Sequence, residues 1–149
     1  MQSRQNLGAF NAYNSSSQMK RPSNGHQQYQ QSAATTADPA QLVLMLFDGA
    51  LVRLEMARDA IADGRIDAAH QAIVRVQAIV DELHVSLDHE RGGDVAHNLA
   101  SLYTYCSEQL VTANIRKDPA LLQEVAGILQ GLRDSWDLGV VRGAVAVAG

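Results

Sequence analysis

The stretch from Ser86 to Tyr105 constrains the fold more than any other part of the chain. It ends one amphipathic run, breaks at Gly92-Gly93 and restarts a second run from Asp94. Aspartate is a strong helix N-cap because its carboxylate accepts the first unpaired backbone N–H groups. Two further starts are written as Asp38-Pro39 and Asp118-Pro119. Proline at the first helical position loses no hydrogen bond, since that N–H has no partner within the helix. These punctuation marks divide the chain into four helical segments joined by short links. Short links make neighbouring helices antiparallel, so the expected fold is all-α, an up-down-up-down four-helix bundle.

The first helix is expected from Asp38-Pro39 to about Ala62, stopping near Gly64. Its core face is Val43, Phe47, Ala50, Leu54, Ala57 and Ile61. The second is expected from near Asp67 to about Glu90, ended by Gly92-Gly93, with a seam of Ala69, Ile73, Val76, Val80, Leu83 and Leu87. The third, capped by Asp94, carries Val95, Leu99, Leu102, Cys106, Leu110 and Ala113, and closes with Arg116 and Lys117, the sign that suits a helix C-terminus. The fourth carries Leu122, Val125, Leu129, Leu132 and Trp136. The bundle is therefore expected over residues 38–138. Residues 1–34, rich in Gln, Ser and Asn, are expected to be mostly disordered, with a docking element near Tyr29. Residues 139–149 are expected to form a flexible tail.

Charge narrows the partners. All 16 acidic side chains lie between Asp38 and Asp137, against 8 basic ones in the same span, leaving the bundle at −8. Nucleic acid, bound largely through phosphate neutralisation, is not an expected partner. Cys106 is the single cysteine, excluding an intramolecular disulfide, and its helical spacing makes it a small core residue. No apolar h-region follows Met1, and the longest apolar run, Leu42 to Phe47, is too short for a bilayer. The expected setting is cytoplasmic, with no membrane and no cofactor.

The first helix has more apolar surface than a bundle needs. Leu42, Met45, Gly49, Val52 and Met56 form a second stripe, rotated away from the core face, and Leu44 and Leu51 lie on neither. Either this helix is the central, most buried one, or the stripe is covered by the N-terminal segment, a second copy or a client chain. The third helix adds Tyr103 and Tyr105, two residues apart and so unable to share one core face, with Asn98 and Asn114 on or beside apolar faces. These asparagines either bond to neighbouring helices or offer donors and acceptors to a bound peptide.

Enzyme readings are weaker. Asp67/His70, Asp81/His84 and Asp94/His97 share an Asp-x-x-His spacing, and carboxylate-x-x-His pairs on facing helices can hold metals in a bundle. Two of these pairs occupy one helix, and Glu55, Glu124 and Asp134 lie off the core seams of the other two. A metal-binding or phosphotransfer bundle therefore stands behind a binding protein, as does a self-associating structural bundle. No nucleophile elbow, P-loop or Cys-x-x-Cys is present.

The ordered set of motifs resembles a known family over about Tyr29 to Trp136. The matching pieces are Tyr29-Gln30-Gln31, Asp38-Pro39, Leu44 to Ala50 (Leu-Met-Leu-Phe-Asp-Gly-Ala), Glu82-Leu83, Ser86-Leu87-Asp88, Gly92-Gly93, Ala96, Asn98-Leu99, Leu102-Tyr103, Leu110, Ala113-Asn114, Asp118-Pro119, Arg133 and Trp136. Together they are similar to the FliS family of flagellar export chaperones. The resemblance implies a non-enzymatic helical bundle that binds the disordered C-terminal segment of flagellin, prevents its premature polymerisation and works with flagellar export gate components. It also implies that residues before the first helix cover the client groove until displaced, with Tyr29 as the covering aromatic. The resulting client-binding set is Tyr29, Leu42, Met45, Leu87, Asn98, Leu99, Leu102, Tyr103 and Asn114. A homodimer is compatible with the excess surface. Residues 1–28 and the tail after Leu138 have no counterpart and inherit no role.

Overall fold

The structure, a computed structural model, describes residues 38–137 and Gly139. Tyr29, the expected disordered segment over 1–34 and most of the expected tail lie outside the described residues. Four helices follow in order: α1 (Pro39–Ala62), α2 (Ile66–Val85), α3 (His89–Arg116) and α4 (Pro119–Asp137). α1 packs on α2 and α4, and α3 packs on α2 and α4, so each helix neighbours those next to it around a square. Side-chain contacts show that neighbours run antiparallel. The Trp136 Nε1–H near the end of α4 donates to the Ala40 carbonyl at the start of α1, at 3.0 Å. Arg133 pairs with Asp48 one step further in. The four-helix bundle expected from the sequence is the observed fold.

The core is one cluster built from heptad-like seams. Phe47, Ala50, Leu54, Ile73, Val76, Val80, Leu83, Cys106, Leu110, Leu122, Val125, Leu129 and Trp136 are essentially inaccessible to solvent. The expected seams of α1 and α2 hold, except that Ala60 is buried and Ile61 is half-buried. In α3 the seam is Ala96, Leu99, Tyr103, Cys106, Leu110 and Ala113. Val95 and Leu102, expected inside, are 45% and 37% exposed. A regular 3-4-3-4-3 spacing keeps one stripe in register with the facing helices, and only the set containing Ala96 and Tyr103 has it.

The turns explain where the helices end. Gly64 takes φ +74°, with its N–H on the Ile61 carbonyl (3.1 Å) and the Arg65 N–H on the Ala60 carbonyl (2.8 Å). This double closure satisfies the last carbonyls of α1 and needs a left-handed residue. α2 starts at Ile66 rather than Asp67, with Arg65 at the cap position. It also stops at Val85, short of Glu90. Ser86 Oγ donates to the Leu83 carbonyl at 2.7 Å, and the chain leaves the helix while Leu87 stays buried. The spacing from Leu83 to Leu87 made the helix look continuous in the sequence.

The cap of α3 is Asp88 rather than Asp94. Its Oδ1 accepts from the N–H groups of Glu90 and Arg91, both at 3.1 Å. Gly92-Gly93 then lies one turn inside the helix. Gly93 takes φ +51° and ψ −127°, a break that bends α3 without ending it and that suits only glycine. At the far end, Lys117 adopts left-handed φ 51° and ψ 51°, and its ammonium donates to the Asn114 carbonyl (2.6 Å) and Oδ1 (2.8 Å). Asp118 caps α4 as expected, accepting from the Ala120 N–H at 2.9 Å. Asp118→Ala and Asp88→Ala should each lose about 1 kcal/mol. Asp94→Ala should stay within about 0.5 kcal/mol, as for a surface change away from any cap. Urea unfolding of the three variants checks these boundaries.

Candidate protein-binding surface

Two apolar stripes remain outside the core, and each is a seam in its own right. On α3, Val95, Asn98, Leu102, Tyr105 and Gln109 recur at 3-4-3-4 spacing beside the buried seam. Val95, Leu102 and Tyr105 are 45%, 37% and 39% exposed, and Asn98 is exposed between them. This stripe faces α4. The Tyr105 hydroxyl donates to Glu124 Oε2 at 2.7 Å, and Gln109 Nε2 donates to Glu124 Oε1 at 3.1 Å. In the antiparallel register set by these bonds, Leu102 and Asn98 come opposite Ile128 and Gly131 of α4. Ile128 is half-buried against the core, and a Cβ placed on Gly131 would meet nothing within 4 Å. The result is a trough with an apolar floor and one polar end.

Electrostatics fix that polar end. The bonds from Tyr105 and Gln109 hold the Glu124 carboxyl below the ordinary carboxylate range. The same bond to Glu124 raises the Tyr105 phenol. Glu124 is thus an ionised acceptor that anchors the α3–α4 pair at the trough's end.

On α1 the second stripe expected from the sequence is present. Met45, Val52 and Met56 are 50%, 57% and 55% exposed, with Leu42 and Gly49 half-buried. It faces the α2 side, where Gly49 lies against Ile79. A third, smaller apolar area sits on the outer face of α2 and α3, with Val74, Val111 and Ile115 exposed. Val74 also lines a shallow depression with His70, Gln71 and Arg75, all from α2.

The client-binding residues expected from the sequence fall into different places. Leu87, Leu99 and Tyr103 are 8%, 4% and 2% exposed and belong to the core. Tyr103 packs with its ring 6.1 Å from that of His84. Burial, with a lesser contribution from Cys106, raises its phenol well above the ordinary range. Cys106 is itself buried, and its thiol is pushed up to about 11 by burial and then by Glu124, which leaves it an inert neutral core group. Asn114 is half-buried and bonded to the neighbouring helix, with Nδ2 2.9 Å from His70 Nδ1. Asn98 and Leu102 meet in the α3–α4 trough, while Leu42 and Met45 lie on α1, across the bundle's diagonal from α3. Val95 and Tyr105 complete the trough and were absent from the expected set. Their 3-4 spacing around Asn98 and Leu102 was the available signal.

Among the described residues no three His, Cys, Asp or Glu side chains converge on a point where a metal would sit. Asp67, His70, Asp81, Asp94 and His97 are exposed on the outer faces of α2 and α3. Among the described residues no helix is long and apolar enough to cross a membrane.

Residues 22–141 match the family model described as flagellar protein FliS. The chain belongs to the FliS family. It is 39% identical to the flagellar secretion chaperone FliS of Salmonella typhimurium over 107 residues, covering 71% of this chain and 79% of that relative. Against FliS of Bacillus subtilis it is 33% identical, covering 76% and 84%, and against FliSB of Pseudomonas aeruginosa 38% identical, covering 74% and 90%. A solved structure of a bacterial flagellar chaperone shares the fold, with a TM-score of 0.65 at 17% identity, covering 78% of this chain and 95% of the other. The FliS match spans the whole described bundle, so both outer seams lie within the family domain.

Proposed function

We propose that this chain is a flagellar secretion chaperone that binds the disordered C-terminal segment of flagellin and keeps it from polymerising before export. Family membership supports the chaperone role, and the observation that carries the binding mode is the α3–α4 trough. An amphipathic client segment, folding as it binds, lays side chains at i, i+3/i+4 and i+7 into such a groove. Val95, Leu102 and Tyr105 contact those anchors, and Ile128 forms the opposite wall. Asn98, exposed among apolar residues, bonds a polar group of the client that would otherwise lose its water. Ordering the client offsets part of the contact energy, which holds affinity low enough for release at the export gate.

The test is co-elution of the full chain with the flagellin of the same cell on size-exclusion chromatography, followed by titration. Leu102→Asp places a charge in the apolar trough and should weaken binding by about tenfold or more while leaving the thermal midpoint nearly unchanged, because Leu102 lies outside the core. Loss of all co-elution by the unmodified chain overturns the flagellin reading. Unchanged affinity in Leu102→Asp places the client elsewhere on the bundle.

A further inference from the structure

The outer seam of α1 has a property that the trough lacks: it reads nearly the same in both directions. Met45, Gly49, Val52 and Met56 are spaced 4-3-4, with a methionine at each end and a small and a branched residue between. Consider two copies of α1 laid antiparallel about a two-fold axis between Gly49 and Val52. Met45 then meets Met56 of the second copy, and Val52 meets Gly49 of the second copy, twice over. Large sits on small in the central layers, and flexible thioethers close the ends. A Cβ on Gly49 would lie 3.6 Å from both Arg53 Nη1 and Ile79 Cδ1, an ordinary contact. The helix thus carries a glycine where alanine would fit, at about 1 kcal/mol less favourable propensity. The space kept open above Gly49 accommodates a branched side chain from outside.

The charges beside the seam follow the same symmetry. Arg53 of α1 and Arg75 of α2 face the same edge, and burial together with the neighbouring Arg75 charge lowers the Arg53 guanidinium from its ordinary range. Among the described residues neither arginine has a carboxylate at ion-pair distance, and Glu82 has no cation. Since Gly49 lies beside Ile79, the antiparallel register places Arg75 beside Arg53 and Glu82 beside Met45 and Leu46. The two-fold axis maps the arginine end of one copy onto the Glu82 end of the other. The remaining carboxylates bordering α1's outer face are Asp48, paired with Arg133, and Glu55, paired with Arg58, together with Asp59 one turn beyond the seam.

From this palindromic seam and its complementary edges we infer that the occupant of the α1 outer face is a second copy of the chain, docked antiparallel through Met45, Gly49, Val52 and Met56, with Arg75 facing Glu82 across the two-fold. One helix pair is a small contact, so the dimer is weak, with a dissociation constant on the order of micromolar. It leaves the α3–α4 trough of each copy open.

Sedimentation velocity of the full chain from about 1 to about 200 µM, a range that brackets such a constant, should show the 16.1 kDa species giving way to one of twice that mass. Arg75→Glu and Glu82→Arg should each weaken association by about tenfold, and the double variant should restore it. Met45→Cys and Met56→Cys proteins, oxidised as a mixture, should cross-link. Neither should do so alone, because the two positions are roughly 16 Å apart along the helix. A chain that stays monomeric throughout overturns the inference, as does a double charge variant no better than the single ones. Cross-linking of Met45→Cys with itself overturns the antiparallel register. A monomer in which Val52→Asp weakens flagellin binding assigns the face to the client instead, and leaves the chaperone reading standing.

Discussion

Trp136→Ala should lose about 3–5 kcal/mol of folding stability, the range for removing a large buried aromatic. The indole is 1% exposed and is among the largest fully buried side chains in the bundle. It packs near the end of α4, and its Nε1–H closes on the Ala40 carbonyl at 3.0 Å. That carbonyl lies at the start of α1, so one side chain ties the last turn of the last helix to the first turn of the first. Alanine leaves a cavity and removes the bond at once. Set against a total of about 5–15 kcal/mol for a domain, the loss is a large part of the whole. Urea unfolding followed by far-ultraviolet circular dichroism should show the midpoint fall steeply. Trp136→Phe, which keeps most of the volume and removes the donor, should lose substantially less. Equal losses for the two variants would mean that the hydrogen bond, rather than packing, dominates the site.

The second large effect separates two adjacent residues. Tyr103→Ala should cost about 3 kcal/mol or more, because the ring is 2% exposed and lies in the continuous core with Leu99, Cys106 and Leu110. Leu102→Ala should cost no more than about 1 kcal/mol, since 37% of that residue already meets water. Flagellin binding should show the reverse order. The folded fraction of Tyr103→Ala should keep most of its affinity, and Leu102→Ala should lose affinity without losing its fold. Thermal unfolding and titration calorimetry on the same pair of proteins read both quantities. If Tyr103→Ala folds as stably as the unmodified chain and loses binding, the ring contacts the client directly and the α3 seam is wrongly phased.

This contrast shows where sequence reasoning stops. Leu102 and Tyr103 are both apolar enough for a core and differ by one position, about 100° around a helix. Within α3 alone either can point inward. The choice is made by α2 and α4: His84 meets the Tyr103 ring on one side, and Glu124 draws Tyr105 and Gln109 to the other. These partners are distant in sequence, so no local pattern reports them. The same limit applies to Asn114, whose bond to His70 depends on two helices lying at one height, and to the pairing of Asp48 with Arg133.

The cap of α3 has a more local cause. Asp88 and Asp94 are equally good caps by residue type, and Gly92-Gly93 favoured the later one. Ser86 decides otherwise by turning its hydroxyl onto the Leu83 carbonyl, releasing the chain one turn before the glycines. Gly93 then serves as a bend inside the helix rather than as its stop.

By itself the sequence determined the number and order of the helices, the close of α1 at Gly64, the cap at Asp118, and the surplus apolar stripe on α1. Each follows from short-range rules: capping groups, a glycine free to take positive φ, and the period of the apolar residues. Tertiary structure decided which α3 residues enter the core, where α2 ends, and the division of the expected binding residues between the interior and two separate outer faces. Those outcomes depend on how four helical surfaces fit together, and that fit is set by contacts between residues far apart in the chain.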